Sequence, residues 1–135
     1  MPREKEKLTH EVLTMRQRMH EAHPNRSDLF DLKHDTGGMI DIEFIVQYLI
    51  LSHASNYPEL TADIGNIALL KLLGDLKLID KALAETVAEA YRHFRKLQHQ
   101  MRLKGADKAR VELTPPMESQ RNAVNQLWRE VITNA

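Results

Sequence analysis

The chain has 135 residues, of which 42% are hydrophobic, and its 19 Lys and Arg balance 19 Asp and Glu, so its formal net charge is zero. This size is typical of one domain or of a fragment of a larger protein, and the zero net charge excludes the global basic field of most nucleic-acid binders, although not a local patch. The chain has no cysteine, no run of eighteen apolar residues and no apolar core in its first ten residues. It is therefore expected to be cytoplasmic, without disulfides, a membrane helix or a secretory signal.

The first part of the chain predicts one helix and one strand. Apolar residues spaced alternately by four and three predict an amphipathic helix over residues 5–22, which Pro24 ends. Its apolar stripe consists of Leu8, Val12, Met15, Met19 and Ala22. Leu29–Lys33 then alternates apolar and polar residues as a strand does, and a single strand must find its partner on another domain or another chain. His34–Gly38 is a predicted turn.

The rest of the chain predicts four more helices. They cover residues 39–53, residues 62–73, a segment that follows Asp80 and carries an apolar stripe from Leu83 to Met101, and residues 117–133. The first is apolar almost all round, as a buried central helix is. Gly74 is the expected cap at the end of the second, Asp80 caps the start of the third, and residues 105–116 form a loop. The predicted fold is all-α, a bundle of about five helices with one short extended segment near residues 29–33.

Two acids, Asp41 and Glu43, lie inside the apolar segment 39–53. Buried carboxylates are costly unless they are paired or bound to metal, so their presence needs an explanation. On a strand the two would point the same way, as a metal-binding pair should, whereas two residues on a helix subtend about 200° and cannot hold one ion together. The unbroken apolar run favours the helix, with Asp41 in its first turn, where the helix dipole favours a negative charge.

The Gly37–Gly38 pair before this helix has two interpretations. In one, the glycines let the start of the helix approach a phosphate or a partner loop, with Lys33 nearby. In the other, they form a turn that caps a core helix, and the acids form structural ion pairs. Spacing alone favours the second, because a lone glycine pair is a weak signal and structural ion pairs are common.

Residues 91–104 form a local basic patch. The cations are Arg92, Arg95, Lys96, Arg102 and Lys104, with no acid among them. Such a face suits nucleotide phosphates, an acidic partner or nucleic acid, but it is also what a solvated helix presents when its cations lie near the C-terminal end of the dipole. His20 and His23 have no third ligand placed by spacing, so no metal ligand is assigned. The sequence contains no nucleophile elbow, phosphate loop or zinc-protease motif.

The segment 30–54 resembles a known family signature. It reads FDLKHDTGGMIDIEFIVQYLILSHA and is similar to the signature that follows the nucleotidyltransferase domain in glutamine synthetase adenylyltransferases. The related PII uridylyltransferases have a similar lysine, double glycine and aspartate. Residues 11–24, 91–103 and 124–132 resemble segments of the same family, so the resemblance covers nearly the whole chain. The acid at Asp41 resembles the C-terminal, adenylylating half rather than the adenylyl-removing half.

The resemblance implies that residues 1–135 are a single helical domain, the C-terminal fragment of a larger nucleotidyltransferase. The glycine-serine turn and the aspartate pair of the catalytic core are not in this sequence, so that core is expected to be absent. The intact enzyme is expected to transfer AMP from ATP to a tyrosine of glutamine synthetase with Mg²⁺, and the fragment to be inactive alone, with no cofactor of its own. The expected partners are glutamine synthetase, the PII signalling protein, the missing nucleotidyltransferase domain and a second copy of the fragment, but neither nucleic acid nor a membrane.

The resemblance also implies a set of site residues. The candidate catalytic acids are Asp31, Asp41 and Glu43, and the candidate nucleotide-binding residues are Lys33, Gly37 and Gly38. Asp31 would be a third acid on a strand, Phe30–Lys33, that lies against the missing catalytic sheet. In the alternative, the chain is a docking module that binds glutamine synthetase or PII through its basic helix. The candidate partner-binding residues are then Arg92, Arg95, Lys96 and Arg102.

Overall fold

Helices make up most of the structure, which confirms the predicted all-α class. A computed structural model describes residues 2–133, with side chains from residue 5 onward. Within those residues the elements are α1 (Pro2–Ala22), β1 (Phe30–Asp31), α2 (Met39–His53), α3 (Gly65–Asp75), α4 (Lys81–Leu103), β2 (Arg110–Val111) and α5 (Pro115–Trp128). A short 3₁₀ helix, Pro58–Thr61, precedes α3, and a π-helical turn, Arg129–Thr133, continues α5. None of the helices within residues 2–133 combines the length and apolar character needed to span a bilayer.

Helix α2 lies at the centre of the core. Its residues Ile42 and Ile45 are fully buried, and Val46, Tyr48 and Leu49 are at most 3% exposed. It contacts α1, α3, α4 and α5. A helix surrounded by neighbours needs an apolar surface on every side, so the prediction of a buried central helix over residues 39–53 is confirmed.

The extended segment near residue 30 finds its partner within this chain. Strands β1 and β2 pair antiparallel, with Asp31 opposite Arg110, and the amide of Leu32 donates to the carbonyl of Ala109 at 2.8 Å. The prediction that this strand must find its partner on another domain or another chain is therefore wrong, whereas its contact with a missing catalytic sheet stays a prediction. Its partner was hidden because β2 has only two residues and lies within the predicted loop 105–116.

Helix α3 does not end at Gly74 as predicted. A Cβ atom on Gly74 would lie 3.0 Å from the Cβ of Ala84, so glycine permits the close contact between α3 and α4. The left-handed residue after the helix is Lys77, with φ of 61°. The amides of Lys77 and Leu78 donate to the carbonyls of Gly74 and Leu73, which is the usual way of satisfying the last carbonyls of a helix.

Helix α1 packs on α2 through part of its predicted stripe. Val12 is buried and Leu8 is half-buried, but Met15 is 47% exposed. The prediction that Met15 belongs to the core is therefore wrong. The next residue, Arg16, instead extends toward α2, which brings a cation to the acidic start of that helix.

Candidate functional site

Asp41 is the centre of a buried ionic network that joins α1, α2 and the glycine turn. Its side chain is 1% exposed, and it accepts two hydrogen bonds from the Arg16 guanidinium, from Nε at 3.0 Å and from Nη2 at 2.6 Å. The amide of Gly37 donates to the same carboxylate at 2.8 Å. The guanidinium carbon of Arg16 lies 3.8 Å from the centre of the Trp128 ring, a cation–π arrangement. Both carboxylate oxygens of Asp41 thus have partners, as a buried charge requires.

The Gly37–Gly38 turn is tightly packed. Gly37 has φ of +80°, and a Cβ atom there would lie 2.6 Å from Cγ and 2.9 Å from the carbonyl oxygen of Arg121 on α5. A Cβ atom on Gly38 would lie 2.7 Å from the carbonyl oxygen of Leu32. Arg121 also donates to the carbonyl of Thr36 at 2.7 Å. The glycines are therefore required by the approach of α5 and of the chain after β1.

The backbone amides at the start of α2 are engaged within the chain. The amide of Gly37 donates to the side chain of Asp41. The amides of the next three residues, 38, 39 and 40, donate to the carbonyls of Asp35, Leu32 and Lys33, respectively. A phosphate at this position would have to displace some of these bonds, whose loss leaves buried groups unsatisfied. The proposed nucleotide-binding role of Gly37 and Gly38 stays a prediction.

Asp31 fixes the turn that follows β1. It is 4% exposed, and its Oδ1 accepts from the amides of Lys33 and His34, both at 3.0 Å. Its Oδ2 lies 3.6 Å from Nε of Arg110 and 3.5 Å from Nδ1 of His34. Burial lowers the pKa of His34 below its ordinary value of 6.5, and the Asp31 carboxylate opposes that shift. Asp31 therefore joins the turn to the β1–β2 ribbon.

Glu43 faces helix α4. It is half-buried and accepts a hydrogen bond from the Tyr91 hydroxyl at 3.3 Å. The side-chain amide of Asn66 donates to the same hydroxyl at 3.2 Å. Burial raises the pKa of Tyr91, and the Glu43 carboxylate acts in the same direction. The hydroxyl thus remains a donor at neutral pH and links α2 to α3 and α4.

The structure does not bring the three candidate catalytic acids together. Asp31 faces β2, Asp41 faces α1 and Glu43 faces α4. Among the described residues no group of three His, Cys, Asp or Glu side chains could hold a metal ion. Mg²⁺ requires several free oxygen ligands in near-octahedral geometry, and these engaged carboxylates do not supply them. These three acids therefore do not fit a magnesium site by themselves.

Lys33 lies apart from the glycine pair, on the wall of a cavity of about 400 Å³. This cavity, called the β1 cavity below, lies between residues 22–24, the segment 31–34, the end of α4 and residues 106–110. Arg102 of α4 lines it as well. A candidate nucleotide-binding residue and a candidate partner-binding residue thus share one cavity, which nothing in their sequence positions indicated.

Cations of α4, Arg102 among them, also form the rim of a second, shallower groove. Its floor contains Met39, Ile67 and Tyr91. Its polar rim includes the exposed side chains of Arg92, Arg95, Lys96, His99 and Arg102. Within residues 5–133, the one acidic partner of these cations is Glu89, 3.9 Å from Arg92 and itself exposed. The predicted basic patch is thus an accessible surface with little internal neutralisation, and its binding of a partner stays a prediction.

Sequence reasoning missed three arginines that hold this region together, namely Arg16, Arg110 and Arg121. Arg16 follows Val12 by four residues and therefore lies on the same inward face of α1. A cation on an inward face is a local signal that it pairs with an acid in the core. The other two had no such signal. Arg121, for example, lies 85 residues from the Thr36 carbonyl that it binds, and contacts at that separation leave no local pattern.

Known proteins resemble the chain along nearly its full length. Residues 6–128 match a family model described as GlnD PII-uridylyltransferase. A Bordetella bronchiseptica protein named bifunctional glutamine synthetase adenylyltransferase/adenylyl-removing enzyme is 51% identical, over 98% of this chain and 14% of its own length. Proteins of the same name from Nitrosomonas eutropha and Aromatoleum aromaticum are 49% and 47% identical, over 96% and 100% of this chain and 15% and 14% of theirs. The chain therefore spans about one seventh of the length of these curated relatives.

Proposed function

This chain belongs to the family that comprises PII uridylyltransferase and glutamine synthetase adenylyltransferase, and we propose that it is the C-terminal helical domain of the adenylylating half of such an enzyme. The observation that carries the proposal is the similarity, over nearly the whole chain, to several proteins of that name. The proposed parent protein transfers AMP from ATP to a tyrosine of glutamine synthetase, in the cytoplasm, and thereby regulates nitrogen assimilation.

In the proposed reaction the tyrosine oxygen attacks the α-phosphorus of ATP, pyrophosphate leaves, and the tyrosine proton passes to a base. Transfers of this kind depend mainly on positioning and on neutralisation of the phosphate charge. The acids of this chain are already engaged in internal contacts. We therefore place Mg²⁺, ATP and the base in the nucleotidyltransferase domain of the parent and assign this chain a positioning role.

The internal bonding of the signature segment supports this role as a brace. The carboxylates of Asp31 and Asp41 and the amide of Gly37 all make hydrogen bonds within the chain, which holds the segment in one conformation. A neighbour with a fixed shape helps to keep reacting groups in place, and a displacement of 1 Å can cost about 100-fold in rate.

The test is the incorporation of labelled AMP into glutamine synthetase by three proteins: the complete parent, the parent lacking the segment that corresponds to residues 1–135, and this chain alone. We expect no incorporation by the chain alone and a loss of roughly 100-fold in the truncated parent, partly restored by adding the chain in trans. ATP binding by the truncated parent is the control for its folding. Full activity of the truncated parent, or activity of the chain by itself, refutes the brace.

A second candidate function, docking of glutamine synthetase or PII, is favoured by the basic groove of α4. Its exposed cations suit an acidic partner, and charges at a rim mainly govern association. The double substitution Arg92→Glu and Arg95→Glu in the parent is expected to weaken binding of its partner by about tenfold. The matched control, Lys7→Glu with Arg18→Glu on α1, makes the same change in net charge at exposed positions. Equal losses in the two variants refute docking at the groove.

A further inference from the structure

The β1 cavity contains more positive than negative charge. Four cationic side chains line it, Lys33, Arg102, Lys108 and Arg110, against two acids, Asp31 and Asp107. His23 and His34 also line it, with their rings stacked at 4.0 Å, and burial lowers the pKa of His34. Counting only the Lys, Arg, Asp and Glu side chains, the cavity has two more cations than acids.

One of the two acids in this cavity, Asp31, is already neutralised. Asp31 accepts from two backbone amides through one oxygen, and its other oxygen lies 3.6 Å from Nε of Arg110. Arg110 in turn donates to the carbonyl of Pro24 at 3.1 Å. This pair is therefore part of the wall, and it leaves three cations of the cavity, Lys33, Arg102 and Lys108, against one acid, Asp107.

Three cations are left for a ligand. Lys33, Arg102 and Lys108 have no ion pair with any described residue, and they belong to three separate segments, namely the turn after β1, the end of α4 and the loop before β2. Lys33 is half-buried, so its charge is partly removed from water and its attraction to an anion is less screened. A volume of about 400 Å³ lies within the range of small-molecule sites.

We propose that the β1 cavity binds the phosphate chain of an oligophosphate, with Lys33, Arg102 and Lys108 as its cationic ligands. Arginine matches phosphate oxygens with a planar pair of N–H donors, and lysine provides a compact point charge. Several phosphates in a row supply the multiple charges that three separate cations require. The site differs from the one that the sequence suggested, because Gly37 packs against α5 and does not line this cavity. The proposal does not depend on the adenylyl transfer proposed above.

The test is calorimetric titration of tripolyphosphate into the 135-residue chain at low salt without divalent cations. We expect saturable binding, weakened at least tenfold by Lys33→Ala and by Arg102→Ala, since a hydrogen bond to a charged group commonly contributes that much. The matched control is Arg92→Ala, an exposed arginine of the same helix outside the cavity, with an expected loss below twofold. Lys108→Ala, on an exposed loop, is a third variant that removes a cation without touching the core.

Further titrations distinguish the source of the phosphate chain. ATP that binds as tightly as tripolyphosphate supports a site that recognises phosphate alone, and tighter ATP binding supports a nucleotide site, provided that Lys33→Ala weakens both. Adenosine is expected not to bind. Absence of tripolyphosphate binding overturns the proposal, as does an equal loss of affinity in Arg92→Ala and Lys33→Ala, which would indicate unspecific attraction to surface cations. Loss of AMP transfer in the parent has no bearing on this measurement, so the two proposals fail separately.

Discussion

The substitution Arg16→Met tests whether the Asp41 network holds α1 and the glycine turn to the core. It removes both guanidinium hydrogen bonds and leaves the carboxylate, 1% exposed, with the Gly37 amide as its remaining donor. Removing one partner of a buried ion pair costs about 3–5 kcal/mol, and the lost stacking on Trp128 adds about 0.5–1 kcal/mol. Because the Arg16 side chain is 18% exposed, water can reach the vacated position and reduce the cost. We expect the free energy of unfolding to fall by about 3 kcal/mol.

The assay is urea unfolding at pH 7.5 followed by the fluorescence of Trp128, the one tryptophan of the chain, which is 3% exposed. With a denaturant slope of about 2 kcal/mol per molar, the midpoint should fall by roughly 1.5 M. Arg18→Met is the matched control, since Arg18 is exposed on the same helix and its loss should change stability by under about 0.5 kcal/mol. A cost below about 1 kcal/mol for Arg16→Met would refute the reasoning, because the pair would then behave as an ordinary surface salt bridge.

A second substitution distinguishes loss of the pair from loss of packing. Adding Asp41→Leu to Arg16→Met removes the carboxylate that the single variant leaves uncompensated. The double variant should recover at least about 1 kcal/mol relative to Arg16→Met, because an apolar pair in place of a buried ion pair is often nearly neutral. Further destabilisation instead would mean that Asp41 contributes mainly through its hydrogen bond to the Gly37 amide.

Three further predictions concern the same region and its supports. Gly37→Ala should lower the free energy of unfolding by about 2–4 kcal/mol, because the new Cβ clashes with the α5 backbone and the residue is also strained in the left-handed conformation. The control Gly105→Ala, with φ of +81° and open space around it, should cost only about 1–2 kcal/mol in the same denaturation assay. Equal costs would refute the packing argument. Burial lowers the pKa of His34 and of His53, so the unfolded chain binds more protons below pH 6.5, and stability measured by urea unfolding should fall as the pH is lowered from about 7.5 to 5.5. This fall should be smaller in a variant with glutamine at both positions. Tyr91→Phe removes the hydroxyl bonded to the α2 carboxylate and should lower the free energy of unfolding by about 1 kcal/mol, with no change in the α-helical circular dichroism of the folded chain.

Elements with a local signal were predictable from the sequence. Helix α2 follows from an apolar run that no strand of ordinary length could accommodate. Helix α4 follows from its stripe and from Asp80, whose carboxylate accepts from the amide of Leu83 at 2.9 Å, as an N-cap should. In both cases the residues that decide the structure lie within a few positions of each other, so periodicity and capping suffice.

Features that depend on distant contacts were not predictable in this way. Strand β2 gives almost no signal because its two residues, Arg110 and Val111, are defined only by their pairing with β1. Gly74 looked like a helix cap, yet it is needed because α4 approaches within van der Waals contact of α3. The helix end falls on Lys77, whose left-handed backbone no residue preference reveals.

The internal bonding of the signature segment separates two kinds of residue that share one motif. Hydrogen bonds within the chain engage Asp31, Gly37 and Asp41. Substitution of these residues would therefore lower any activity of the proposed parent by destabilising this domain. The Lys33 side chain makes no such contact with a described residue and faces the β1 cavity, so its loss should leave the urea midpoint nearly unchanged. Measured together in the proposed parent protein, Asp41→Asn should lower the stability of this domain along with the proposed AMP transfer. By contrast, Lys33→Ala should change only the affinity for the ligand and leave the free energy of unfolding constant. A structural residue of the signature is thus distinguished from a ligand-binding one by whether its substitution lowers the stability of the domain.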